Sequence, residues 1–249
     1  MASFDSSNPT LKEKTFERSI TDSYQGEAMT MTGTLNKFGI LMALLIASTL
    51  FAWDQFNKGS DPVPFMMVGV FGGLIMAIIM MFKMSWSAFL APAYAVLEGL
   101  FLGSISAFFN EAYPGLPTQA VALTLLVAGL MFLIYRYRII PVTQRFRQII
   151  LVTTGALAIF YLVQWIASQF FSAEFGSFTY DASPLGIGFS AFVVILASLN
   201  LLLNFDMIEK GAEMEAPKYM EWYSAFGLLV TLIWLYLEIL RLLSKLNRR

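Results

Sequence analysis

The chain has 249 residues, of which 57% are hydrophobic and 13% charged, with a formal net charge of −1 and a mean hydropathy of +0.66. By length alone it could make one or two soluble domains, but that composition belongs in lipid, and no nucleic-acid partner is expected. Cysteine and histidine are absent, which removes disulfides, thiolate nucleophiles, imidazole bases and the usual zinc ligands and leaves carboxylates, hydroxyls, amides and basic groups; no cofactor and no catalytic activity are expected.

The first 34 residues are polar and mixed in charge, with Asp5, Lys12, Glu13, Lys14, Glu17 and Arg18. They lack the basic start and short apolar core of a cleavable signal and are expected to remain as a mobile tail (1–34) ahead of a membrane domain (35–249). A helix crossing the hydrocarbon needs about 20 mostly apolar residues, because backbone groups without water must bond within their own segment. Seven stretches qualify: Leu35 to Trp53, Pro64 to Phe82, Trp86 to Phe109, Thr118 to Tyr135, Gln148 to Phe171, Gly186 to Asp206, and Trp222 to Leu243. The links between them are polar and rich in turn formers, as in Asn57–Pro62, Tyr113–Pro117 and Asp181–Pro184, so consecutive helices should be antiparallel. The predicted class is an all-α, polytopic membrane bundle.

Basic residues gather on alternate links: Lys12, Lys14, Arg18 and Lys37, then Lys83, then Arg136, Arg138, Arg145 and Arg147, then Lys210 and Lys218. The links around Glu111 and Glu174 carry none. An N-terminus on the cytoplasmic side of a cell membrane follows. Seven crossings then put Arg241, Lys245, Arg248 and Arg249 outside, against the same rule. Trp53, Trp86, Trp165 and Trp222 fall near span ends, as interfacial aromatics do.

A charge at the bilayer centre costs at least about 2.5 to 3.5 kcal/mol on insertion scales, so each one within a span raises a functional question. Glu98 lies in mid-span with no basic residue within two turns. Either a protonated acid hydrogen-bonded to a neighbouring helix or a functional group explains it. Glu238 has Arg241 at i+3, which could pair with it along the helix. Asp206 follows Asn200 and Asn204 on a polar strip of the sixth span, and such strips face a bundle interior where protons or cations can be handled. Two carboxylates meeting in a low dielectric would share one proton, making a pH sensor that offers oxygen ligands to calcium once deprotonated. Gly69, Gly72 and Gly73, and separately Gly99 and Gly103, read as close helix contacts rather than ligand loops. The last span holds no lysine within Trp222–Leu243, which excludes a retinal pigment, and the missing histidines exclude a metalloprotease.

Ala-Pro-Ala-Tyr-Ala-Val-Leu-Glu-Gly-Leu-Phe-Leu-Gly in the third span, Asn-Phe-Asp-Met-Ile-Glu-Lys-Gly ending the sixth, and Ala-Pro-Lys-Tyr-Met-Glu-Trp-Tyr running into the seventh resemble the Bax inhibitor family in its bacterial form. The resemblance covers nearly the whole chain after about Met31. It implies two three-helix groups around a central seventh helix, a pH-sensitive calcium leak, and a link to stress resistance. The family's sensor pair corresponds to Asp206 and, with Glu in place of Asp, Glu238. The basic residue that the family carries in its second helix has no counterpart in Pro64–Phe82, and Arg241 is a candidate substitute. For Asp206 and Glu238 to meet, the sixth helix must continue past Asp206 and the seventh must begin below the membrane or bend near Gly227. The implied partners are lipid, calcium and protons. Two other readings remain open: a regulatory protein that restrains a membrane protease or other stress-response partner through the N-terminal tail, and a proton-coupled small-solute carrier using Glu98 and the polar strip.

Overall fold

A computed structural model describes residues 27–170 and 176–248. Most of the expected tail (1–26, with its charged residues), together with Glu174 and Arg249, lies outside the described residues. Among the described residues seven helices are long and apolar enough to cross a membrane: α1 (Met31–Asn57), α2 (Val63–Phe82), α3 (Ser87–Ala112), α4 (Leu116–Arg136), α5 (Gln144–Phe170), α6 (Pro184–Glu213) and α7 (Met220–Asn247). The protein is an all-helical, multi-pass membrane protein. Among the described residues the one extended pairing is an isolated bridge between Ala28 and Pro217.

Each predicted span is helical over its described residues, and α1, α6 and α7 outrun their apolar stretches by two to seven residues at each end. Hydropathy registers only the segment that needs lipid, whereas backbone hydrogen bonding continues into the interface until a turn stops it. The links behave as their composition predicts. Gly59 (φ 85°) and Gly115 (φ 80°) take the left-handed conformation that closes the turns after α1 and α3, where a side chain would be strained. Residues 31–34, counted with the tail from sequence, already belong to α1. Thr30 caps that helix by accepting a hydrogen bond from the Gly33 N–H at 2.9 Å.

The chain forms two compact units. The first comprises the residues up to Pro117 and Asn204–Val230, hence α1, α2, α3, the last turns of α6 and the first half of α7. Here α3 packs on both α1 and α2. Glycines set the spacing: a Cβ at Gly99 would lie 2.5 Å from the Leu45 carbonyl oxygen, and one at Gly103 would collide with that of Thr49. Gly69, Gly72 and Gly73 do the same for α2, against Phe101, Leu97 and Glu98. These are the close contacts expected of small residues in membrane helices, where dispersion and backbone approach replace the hydrophobic effect. Ser48 adds a bond from its hydroxyl to the Val96 carbonyl at 2.6 Å, and Tyr94 meets Phe226 edge-on with ring centroids 4.8 Å apart.

The second unit holds Thr118–Leu203 and Thr231–Arg249, with a core of Ile150, Leu157, Val193, Leu196 and Leu203 sealed by residues that include Phe146, Phe189 and Trp234. Of the seven helices α7 is the most buried, with 56% of its most apolar window enclosed against 17% for α1, α2, α4 and α5. Those four instead expose large apolar side chains such as Phe51, Phe71, Leu126 and Leu162, the surface that acyl chains cover.

Candidate functional site

The two acidic residues singled out from the last spans are both buried, Asp206 at 3% and Glu238 at 2% exposure. Asp206 belongs to the first unit and Glu238 to the second, and each has a base on the next turn of its own helix. Lys210 Nζ donates to Asp206 Oδ2 at 2.9 Å. Arg241 donates from one amino group to both oxygens of Glu238, at 3.0 and 3.1 Å. The helix makes these pairs by its period, since i+3 and i+4 side chains lie on one face. The continuation of α6 past Asp206 to Glu213 is what brings Lys210 into the same helix.

Tyr161 of α5 completes the Glu238 group. Its hydroxyl donates weakly to Glu238 Oε1 at 3.4 Å and accepts from Arg241 at 3.1 Å, while the guanidinium lies 5.6 Å from the ring centroid. The arrangement satisfies a buried carboxylate from two helices, and its chemical consequence is direct. A proton on Glu238 would cancel the charge that holds Arg241, so the group can convert proton binding into release of a cationic side chain.

The remaining candidates are placed separately. Glu98 is half-buried on α3 and rests against Gly73 of α2, where a Cβ would lie 2.5 Å from its carboxylate. Asn200, in the second unit, donates to the Thr154 hydroxyl of α5 and to the Leu196 carbonyl, both at 2.9 Å. Asn204, in the first unit, lies near Gly227 of α7, through which the helix runs unbroken. Among the described residues no group of three or more acidic side chains gathers to hold a metal ion.

Two buried ionic groups were not anticipated. Glu221, in the first turn of α7, is fully buried and ties the chain's described start to α7. It accepts from the Thr30 N–H at 2.9 Å, the Thr30 hydroxyl at 3.0 Å and the Lys37 ammonium, with Lys218 at 3.3 Å. The Met29 N–H also donates to the Ala216 carbonyl at 2.7 Å. Gly33 lies against it, and a Cβ there would collide with the carboxylate and displace it. On the outer flank of this cluster the carboxylate of Glu27, and next that of Glu221, hold the Lys218 ammonium above the ordinary lysine value. The second group is Lys245, 2% exposed, which is an interior group rather than the free tail charge its sequence position suggested. With Arg241 bound to Glu238, two of the four cations that broke the charge rule lie within α7 and are engaged by the bundle.

Residues 8–248 match the family model described as Bax inhibitor 1 like. The chain belongs to that family. No curated protein and no solved structure matches it. Two of the segments that carried the resemblance to the Bax inhibitor family contribute to the ionic groups: the end of α6 supplies Asp206 and Lys210, and the residues running into α7 supply Lys218 and Glu221.

Proposed function

We propose that the protein is a pH-sensitive calcium leak of a cell membrane, without catalytic activity, in which Asp206 and Glu238 hold conducting elements closed through their ion pairs. The observation that carries this reading is the pairing itself: two carboxylates buried in membrane helices, each held by a base one turn away. Family membership supports it. The ionised carboxylates keep Lys210 and Arg241 in place. Proton binding removes that attraction and frees these partly exposed cations to move away from the buried acids, which favours rearrangement. The leak therefore increases on acidification. Calcium contacts at Asp206 and Glu238 are transient, with the N-terminus on the cytoplasmic side. Efflux from dye-loaded liposomes between about pH 5 and 8, the range over which folded proteins are usually stable, tests the reading; efflux independent of pH would refute it.

A second reading is favoured by the Glu221 cluster, which anchors Thr30, at the end of the N-terminal stretch, to the start of α7. In it, that N-terminal stretch binds a membrane protein partner such as a protease. Deleting residues 1–26 should then abolish partner-dependent effects while leaving calcium efflux intact.

A further inference from the structure

Lys245 is a buried charge that neither reading uses. It sits in the last turn of α7, in the sequence Leu-Leu-Ser-Lys-Leu, and its ammonium donates to the Gly186 carbonyl at 3.0 Å and to the Ser190 hydroxyl at 2.7 Å. Neither acceptor is charged. Glu238 and Asp181 attract the ammonium from further away, while Arg241 and Arg248 repel it. Gly186 and Ser190 are one turn apart at the start of α6, so their oxygens face the same side. Gly186 is seated under the preceding loop, where a Cβ would collide with the Asp181 carbonyl oxygen and lie 2.5 Å from that of Phe178.

A lysine at a helix end in a membrane ordinarily reaches for the interface or pairs with a carboxylate. Burial with neutral oxygens is instead the coordination by which membrane proteins hold monovalent cations, with carbonyl and hydroxyl dipoles replacing water. We propose that Gly186 and Ser190 form a cation site of the primary-ammonium class that the chain fills with its own Lys245, a tethered cation closing that end of the second unit. The inference does not depend on conduction. It requires that charge at this position, rather than bulk, hold α7 to α6.

The chain's lack of cysteine makes the test direct. In full-length protein, Lys245→Met keeps the length of the side chain and removes the charge, and its melting temperature should fall. Lys245→Cys should fall likewise. Modifying that single thiol with an aminoethyl methanethiosulfonate restores an ammonium of similar reach and should recover most of the loss, whereas the uncharged methyl reagent should not. Ser190→Ala, which leaves the lysine and removes one acceptor, should also melt lower than wild type. Equal melting of the aminoethyl and methyl adducts would overturn the proposal. So would a Lys245→Met or a Ser190→Ala protein as stable as wild type.

Discussion

Glu221 Oε1 accepts both the backbone N–H and the hydroxyl of Thr30, a residue 191 positions earlier in the chain. The contact closes a cluster in which Lys37 and Lys218 supply the positive charge. Glu221→Ala leaves Lys37 without its counter-ion and two Thr30 donors without an acceptor, so it should destabilise by about 3 kcal/mol, the lower end for a broken buried pair because Lys37 is partly exposed. Gly33→Ala should cost about 1 to 3 kcal/mol by pressing on the same carboxylate. The double mutant should lose less than the two singles together, because the clash disappears with the carboxylate. Thermal unfolding of the four proteins measures the coupling, and strict additivity would separate Gly33 from Glu221.

Lys218 gives the cluster a pH dependence of defined sign. Its value in the folded protein is raised by Glu27 and Glu221, so its contribution is fully present below the ordinary lysine value of 10.5 and is lost as pH rises through the higher folded value. The stability difference between wild type and Lys218→Met should be flat from pH 7 to about 10 and shrink above about 10.5, the ordinary lysine value. The effect is small, because the side chain is 36% exposed and screened. A difference that grew at high pH would contradict the assignment.

Glycines with identical helical settings should respond oppositely. Gly103→Ala drives a methyl group into the Thr49 carbonyl of α1, which cannot yield without moving the helix, so a loss of about 1 to 3 kcal/mol is expected. Gly155→Ala on α5 meets nothing within 4 Å and should be neutral or stabilising by up to about 1 kcal/mol, the difference in helix propensity. Melting temperatures of the two variants decide it, and a Gly103→Ala protein as stable as Gly155→Ala would show that α1 and α3 are not spaced by glycine.

These contrasts mark what the sequence could reveal. The seven helices were legible because a bilayer forces each crossing to be apolar over one continuous stretch, and Glu238 with Arg241 because helical periodicity alone brings i and i+3 together. Asp206 could be found as a buried acid, but its partner Lys210 required the helix to run on through a polar end that hydropathy treats as a link. Glu221 stayed hidden for a different reason. An acid near a helix start resembles an ordinary interfacial residue, and nothing local announces a partner as distant as Thr30. Lys245 had a signal that was overlooked: with Glu238 and Arg241 it recurs at i, i+3 and i+7, one face of α7, although its place among terminal basic residues suggested a solvated charge.

Orientation has its own test in single-cysteine variants. With the N-terminus inside, a cysteine at Asp61 should react with an impermeant reagent applied outside intact cells, and one at Arg145 should react only after lysis. Labelling of the Arg145 position from outside would invert the topology.

The measurement that tests the central claim most directly is calcium efflux from liposomes as a function of pH for wild type, Asp206→Asn and Glu238→Gln, each first shown to be folded. An amide mimics the protonated carboxyl and cannot hold the neighbouring cation by charge. The account predicts that wild-type efflux rises as pH falls from about 8 to 5, a range over which folded proteins are usually stable, while each amide variant leaks faster at neutral pH and responds less to acid. Wild-type efflux that ignores pH, or a Glu238→Gln protein with wild-type efflux and an undiminished pH response, would contradict it.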